Sequence, residues 1–517
     1  MTMTNPSISN QVNILPMDEY NQKLISYVHP PNWINPTPKP FYDLIVIGAG
    51  TAGLVVAGGA AGLGLGLKVA LIEKHLMGGD CLNFGCVPSK AIIRSSRIIA
   101  EVKKAQELGI NITEIEPNFH LVMERMRRIR AKISHHDSAQ RFQDLGVDVF
   151  LGEAHFLAEN IIAVNDQKLA YKKAVIATGA RAANPKIEGL ETGDFYTNET
   201  IFSLPELPPT LAVIGGGPIG CELAQTFQRL GCQVTLLHKY DQLLNKEYPD
   251  ATEIVQDKLI QEKINLKLNS QILRVEKVGK SKKISYNYLQ QEESIIVDEI
   301  LIATGRSPNL EGLNLETVGV EYDQKGIKVN DYLQTTNPKI YAAGDICLPY
   351  KFTHTADASA RIVIKNTLFS PFGLGKAKFS DLVIPWVTYT DPEIAHVGKY
   401  EAQLKAEGIE FNTIKILMSN VDRAITDSET EGFIKVHHKK GSDQILGATI
   451  VASHAGEMIS EITTAMVNKI GLNSLANVIH SYPTQAEAIK KVADTYRRTL
   501  LTPNSQKILA LLLKLSH

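Results

Sequence analysis

A chain of 517 residues is too long for a single hydrophobic core, so three or four domains of roughly 100–200 residues are expected. With 44% hydrophobic residues, 21% charged residues and a net charge of −1, the composition is that of an ordinary soluble globular protein and excludes the basic footprint of a nucleic-acid binder. Five cysteines are few, and odd in number, for a secreted disulfide scaffold. The N-terminus "MTMTNPSISNQVNILPMDEY" also lacks the basic start and apolar run of a signal peptide, so a reducing cytoplasm is the expected location.

Residues 1–40 close on "HPPNWINPTPKP", with five prolines between Pro30 and Pro40, a pattern that predicts an extended or irregular arm rather than a packed element. "YDLIVIGAGTAG" (42–53) then reads as a β-branched strand running into Gly48, Gly50 and Gly53, and a second strand, "KVALIE", ends on Glu73. Strand, glycine turn, helix and an acid about twenty residues on form a dinucleotide fingerprint. The glycines let the backbone approach a pyrophosphate, the helix N-terminus offers N–H donors, and the acid takes ribose hydroxyls. The apolar run 54–72 approaches the length of a membrane span, but its place inside the fingerprint reads as helix, glycine-rich turn and buried strand, and no membrane partner is expected.

The pattern recurs in "TLAVIGGGPIGCELAQTFQRLGCQVTLLHK" (210–239), with Gly215, Gly217 and Gly220. Here the second strand ends on His238 and Lys239 where a ribose-binding acid would stand, and positive charge suits a 2′-phosphate, so NADP(H) is expected ahead of NAD(H). Two further strands close on Ala-Thr-Gly, one at Thr178 and Gly179 and one at Gly305, endings that suit chain crossovers beside a cofactor. "IYAAGDI" (340–346) places the Asp345 carboxylate at a strand end, able to accept from polyol hydroxyls. From Asp381 the pattern becomes antiparallel strands followed by helices to about Ala493, a separate α+β unit. The C-terminal "KILALLLKL" is too short to span a bilayer and is expected to pack as an amphipathic helix.

"GGDCLNFGCVPSK" (78–90) carries Cys81 and Cys86. In a straight helix residues five apart are separated by about 7.5 Å along the axis, beyond the roughly 7 Å Cα limit for a disulfide. A bond therefore requires a bend, for which Gly85 and the preceding glycines give freedom. Pro88 suits the first turn of a helix that Gly109 ends, which puts Cys86 at a helix N-terminus with the Lys90 cation one turn on. Three readings stand: zinc ligation, inert buried thiols, and redox exchange. Cys221, Cys232 and Cys347 are isolated and supply no second ligand pair, so no metal site is expected, and the glycine-rich helix start favours redox exchange over core packing.

With these motifs assembled, the chain resembles the FAD-dependent pyridine nucleotide-disulfide oxidoreductases over about Tyr42–Ala493, and the mercuric reductase branch most nearly. The resemblance implies an α/β fold of two Rossmann-like dinucleotide-binding domains, for FAD and NAD(P), plus a C-terminal α+β dimerisation domain. The expected boundaries are an arm at 1–40, an FAD domain at 41–190 and 312–380, an NAD(P) domain at 191–311, a dimerisation domain at 381–500 and a tail at 501–517. Gly48, Gly50, Gly53, Glu73 and Asp345 would hold FAD, and Gly215, Gly217, Gly220 and Gly305 would line the nicotinamide nucleotide site. Cys86 would lie against the flavin and Cys81 would exchange with substrate, while Lys90 would sit near the flavin and pair with Glu222. The chain would act as a homodimer on a small-molecule or metal-ion acceptor.

The family's disulfide reductases place a catalytic His directly before a Pro, with a Glu five residues after that His. Here "HSYPTQAEA" has Tyr482 before Pro483, retains Glu487, and carries His480 two residues upstream. A phenol of pKa near 10 is a poorer base than imidazole. Tyrosine at that position resembles mercuric reductase, yet no cysteine follows Cys347 to form that branch's C-terminal pair. The expected function is NAD(P)H-dependent electron transfer through FAD and Cys81–Cys86 to Hg(II) or a disulfide. Dihydrolipoamide dehydrogenase or another small-disulfide reductase is the alternative among enzymes, and a flavin-dithiol redox sensor binding a protein partner is the alternative from another class.

Overall fold

The computed structural model describes residues 14–191 and 193–516, so residues 1–13 of the expected arm and His517 of the expected tail lie outside the described residues. The chain forms two compact units, one over Met1–Lys239 and Lys267–Leu382, the other over Tyr240–Leu266 and Val383–His517.

The first unit holds both glycine fingerprints. Strands Val147–Leu151, Val69–Glu73, Tyr42–Ile47, Gln167–Ile176 and Ile340–Ala342 lie side by side in that order, all parallel. The apolar runs match the burial, since Leu44, Ile45, Val46, Leu71 and Val175 are all shielded on both faces. Antiparallel strands Ala154–Ala158 and Ile161–Val164 extend the sheet beyond Gln167–Ile176. The second parallel arrangement is Gln233–Leu237, Thr210–Ile214 and Glu299–Ile302. It is accompanied by an antiparallel three-stranded sheet over Gln271–Val278, Ser281–Tyr288 and Gln291–Val297. The apolar run after the first fingerprint resolves into helix Thr51–Ala61, a turn, and the strand Val69–Glu73.

The arm differs from its sequence expectation. Residues Glu19–Val28 form a helix whose Asp18 N-cap accepts from Asn21 N at 2.9 Å, and Leu24, Ile25 and Val28 bury one face in the first core. The proline count after residue 30 carried no information about this amphipathic segment ahead of it. The helix is pinned by two arginines of helix Phe119–Ile133, Arg127 to Asp18 at 2.5 Å and Arg130 to Asn21 Oδ1 at 2.6 Å. Arg130 also donates to the carbonyl of Asn83 at 2.8 Å, and Met77 N donates to Val28 O at 3.1 Å, so the arm braces the segment carrying the cysteines. Arg130 is only 2% exposed, and burial pulls its pKa down to about 10. Arg130→Met leaves two buried acceptors without their donor and should lower stability by about 2–6 kcal/mol, from about 1–3 for each. An unchanged urea midpoint would refute the brace.

The second unit is a five-stranded antiparallel sheet in the order Pro385–Thr388, Glu393–Gly398, Ile445–Ala452, Phe433–Lys439, Phe411–Leu417. Helices Ala455–Val467 and Glu487–Thr499 contribute Ile459, Ile462, Ile489 and Val492 to its core. The sequence expectation kept residues 240–266 within 191–311, whereas their contacts group them with the C-terminal sheet. The reason is a polar cluster at the start of helix Pro249–Gln261. Glu247 accepts from Trp386 Nε1 at 2.8 Å and from the Tyr400 hydroxyl at 2.7 Å, while Asp250 takes Lys415 and Lys435, each at 2.7 Å. The expected C-terminal helix forms over Pro503–Leu515, but it buries none of its residues, in contrast to the packing expected of it. Among the described residues no helix is long and apolar enough to cross a membrane.

Candidate active site

The cysteine segment bends where the sequence requires it. Gly79–Asn83 is a short helical turn, Gly85 has the non-helical conformation φ −124°, ψ −110°, and Cys86 opens helix Cys86–Lys104. No disulfide joins the two cysteines, and each shifts the ionisation of the other. Cys86 is exposed, and Thr353 Oγ1 lies 3.3 Å from its Sγ. The Cys81 thiol holds the Cys86 pKa below the ordinary thiol value, at about 6, with Thr353 and the Lys90 cation acting in the same direction. Cys81 is driven the other way, because its proton is held by Cys86 and its site is partly shielded. The opposed shifts favour a proton on Cys81 and negative charge on Cys86, at the N-terminus of a nineteen-residue helix.

Lys90 stands one turn beyond Cys86 and meets Glu222 Oε2 at 2.8 Å; Glu222 comes from helix Pro218–Leu230 and is 5% exposed. The structure therefore brings together Cys86, Lys90 and Glu222, three expected site residues separated by up to 136 positions in the chain.

Both fingerprints fit a bound dinucleotide. Helices Thr51–Ala61 and Pro218–Leu230 start at Gly50 and Gly217 with no side chain capping their first amides, which leaves those N–H groups for a phosphate. A Cβ at Gly53 would fall 1.7 Å from Gly48 O, and one at Gly220 would fall 1.8 Å from Gly215 O, so only glycine allows helix and turn to close up at either site. Glu73 ends its strand with Oε2 accepting from Ala49 N at 2.7 Å, which fixes the first turn. In the second fingerprint His238 has this pinning role: it is buried and its Nδ1 accepts from Gly216 N at 2.9 Å. Lys239, next to it, is exposed. Thr178 and Gly179 meet Asn309, through Thr178 Oγ1 to Asn309 O at 2.9 Å and Asn309 N to Gly179 O at 3.0 Å. Gly305 O accepts from Ala183 N at 3.0 Å, so both Ala-Thr-Gly strand ends lie at one crossover.

Asp345 is mostly buried, which raises its pKa, and Arg306 Nε is 3.5 Å from its Oδ2. The same guanidinium reaches Asp80 Oδ2 at 3.0 Å, and Asp80 Oδ1 accepts from Asn198 at 2.9 Å. Arg306 and Asp80 were not among the expected site residues. Their signal was adjacency: Asp80 precedes Cys81, and Arg306 follows the Ala-Thr-Gly of Gly305.

In the second unit Tyr482 is 70% exposed and donates to Asp422 Oδ2 at 3.0 Å, a bond that pushes its pKa up. The His480 imidazole is shielded, with Nε2 at 2.8 Å from Glu461 Oε1. Glu487 begins helix Glu487–Thr499 and pairs with Lys491 at 3.2 Å. The carboxylate partner of His480 is therefore Glu461, which the spacing around Pro483 did not indicate. Among the described residues no group of three or more His, Cys, Asp and Glu is arranged to hold a metal ion.

Residues 42–360 match the pyridine nucleotide-disulphide oxidoreductase family, and residues 384–493 match that family's dimerisation domain. A mercuric reductase of Staphylococcus aureus is 36% identical over 456 residues, which is 88% of this chain and 82% of that protein. A dihydrolipoyl dehydrogenase of Bacillus subtilis is 32% identical over 459 residues, 87% of this chain and 96% of its own length. Among solved structures, the HOCl-induced flavoprotein disulfide reductase RclA from Escherichia coli superposes with a TM-score of 0.77 at 25% identity, covering 88% of this chain and 99% of its own. LpdA from Mycobacterium tuberculosis gives a TM-score of 0.80 at 25% identity, covering 89% of this chain and 100% of its own. The two fingerprints, the bent cysteine pair and these matches together place the chain in the pyridine nucleotide-disulphide oxidoreductase family, whose members are flavin-dependent and use FAD and NAD(P)H.

Proposed function

We propose that this chain, as a homodimer, is an NADPH-preferring oxidoreductase that delivers electrons through the Cys81–Cys86 pair to a soft metal ion such as Hg(II). The carrying observation is Tyr482, a phenol hydrogen-bonded to a carboxylate at the position where disulfide turnover would call for an acid–base imidazole. The identity to mercuric reductases supports the same reading.

When bound, FAD and NADPH supply the hydride and two-electron chemistry. The chain's own residues do the rest. The Cys81–Cys86 disulfide takes up two electrons and one proton, its S–S bond breaks, and Cys81 keeps the proton while Cys86 holds the charge. The helix N-terminus, Thr353 and Lys90 stabilise that charge, and Glu222 holds Lys90 in place. Thiolate sulfur is a preferred ligand of soft metals. Returning two electrons to Hg(II) reduces it to the element, re-forms the S–S bond and releases the proton.

Steady-state NADPH oxidation by the purified flavoprotein with Hg(II), oxidised glutathione and lipoamide tests the reading, with Hg(II) expected to sustain multiple turnovers. Turnover confined to the disulfides would overturn it in favour of a small-disulfide reductase. The shielded His480–Glu461 pair is the observation that favours this second reading. One stoichiometric reduction followed by arrest with every acceptor would point instead to a redox sensor acting on a protein partner.

Two residue tests follow. Lys239 is the exposed cation at the end of the second fingerprint, so Lys239→Glu should raise KM for NADPH about tenfold and leave KM for NADH nearly unchanged, as expected from about 1.4 kcal/mol of lost charge pairing. An unaltered NADPH/NADH ratio would show that the 2′-phosphate is held elsewhere. Tyr482→Phe should slow acceptor reduction about tenfold or more while flavin reduction by NADPH, followed by stopped flow, keeps its rate. Wild-type turnover in that variant would leave Tyr482 a packing residue only.

A further inference from the structure

Helices Glu487–Thr499 and Pro503–Leu515 are each thirteen residues long and follow one another, yet they treat their apolar residues in opposite ways. The first buries Ala488, Ile489, Val492, Ala493 and Tyr496, whereas the second buries nothing. Ile508, Leu509, Leu511, Leu512, Leu513 and Leu515 are between 52% and 75% exposed. The second helix also begins as an independent element, with Thr502 as N-cap, accepting from Ser505 N at 3.2 Å, and Pro503 in the first turn. It lies beyond residue 493, where the match to the family's dimerisation domain ends.

Its residues are sorted around the helix axis. At about 100° per residue, the six large apolar side chains cover an arc of about 200°, and Lys507 and Lys514, seven apart, fall within about 20° of each other on the remaining face. Charge is sorted too. No acidic residue follows Asp494, while Arg498, Lys507 and Lys514 lie exposed beyond it, in a chain whose net charge is only −1. Arg497 is engaged elsewhere, with Asn473 and Asn477.

We propose that this C-terminal helix lies in the surface of an anionic lipid bilayer, with its apolar arc among the acyl chains and its two lysines at the headgroups. Spanning is excluded, because thirteen residues of helix reach about 20 Å against a hydrocarbon core of about 30 Å. A second copy of the helix fits less well. A coiled-coil seam is a narrow stripe sustained over several heptads, whereas this arc is about twice as wide and the helix is shorter than two heptads. A lipid interface accepts a wide apolar face, and the positive face is complementary to phosphate-bearing headgroups.

The test is co-sedimentation of the full-length flavoprotein with vesicles of phosphatidylcholine alone or of equal parts phosphatidylcholine and phosphatidylglycerol. At least tenfold more protein is expected to sediment with the anionic vesicles. Ile508→Glu with Leu512→Glu should reduce that binding at least tenfold, and Lys507→Glu with Lys514→Glu several-fold, while flavin content and NADPH oxidation stay at wild-type levels. Three results would each overturn the proposal: no sedimentation of the wild type, equal sedimentation with neutral vesicles, or binding that survives both double variants. So would a wild type that ignores vesicles but whose Ile508→Glu/Leu512→Glu variant drops to a smaller oligomer on gel filtration, since that would assign the arc to a second copy of the chain.

Discussion

Cys81→Ser should lower acceptor-dependent NADPH oxidation by at least about a thousandfold, the scale on which loss of a covalent participant acts, and leave the thiolate of Cys86 in place. The asymmetry of the pair dictates both halves. Cys81 is half-buried, with its proton held in the bond to Cys86, so its sulfur matters as the second atom of an S–S link and as a hydrogen-bond donor. A serine hydroxyl keeps the donor and loses the link. Cys86 in the variant should therefore still react with iodoacetamide well below the free-thiol pKa of about 8.5. The converse variant, Cys86→Ser, removes the low-pKa group. Its remaining thiol, no longer bonded to a thiolate, should alkylate only as the pH rises through or above the ordinary thiol range. Alkylation rate against pH, read by mass spectrometry on each variant, checks both without requiring turnover. Equal profiles for the two variants would sink the assignment of charge to Cys86.

The fold was legible wherever local chemistry and tertiary placement agree. Strand, glycine turn and helix at 42–61 and 210–230 are dictated within about twenty residues, and the bend before Cys86 follows from the distance two sulfurs must cover. What escaped depended on partners far away in sequence. The helix Glu19–Val28 is held by Arg127 and Arg130, 109 positions on from Asp18 and Asn21, and nothing beside it in the sequence announces them. His238 looked like a phosphate ligand because it ends a strand; it is turned inward, and its ring supports the glycine loop through Gly216 N. Glu461 was invisible as the partner of His480 because the pairing crosses from one helix to a loop nineteen residues later. Residues 503–515 were read correctly as helical, since periodicity reports conformation, but periodicity does not say whether an apolar face finds a partner within the chain.

The pair Lys90–Glu222 offers a test in which one of two substitutions should raise an observable and the other should not. Lys90 is 36% exposed along its side chain and Glu222 only 6%, so the two charges are desolvated unequally. Lys90→Met leaves a carboxylate in the interior without that cation, and stability should fall toward the lower end of about 3–5 kcal/mol, since the lysine side is partly solvated. Glu222→Gln leaves a lysine that can still reach water, and should be the milder change. At Cys86 the two variants diverge. The Lys90 cation favours the thiolate, so its removal should raise the apparent pKa of Cys86 by about one unit, worth about 1.4 kcal/mol. Removing the Glu222 carboxylate takes away a negative charge that partly cancels that cation, so the thiolate should be held at least as firmly and the pKa should stay or fall. The thiolate's ultraviolet absorbance followed through a pH titration reads this directly. Shifts of the same sign in the two variants would show that helix packing, and not the lysine's charge, sets the poise of the cysteine pair.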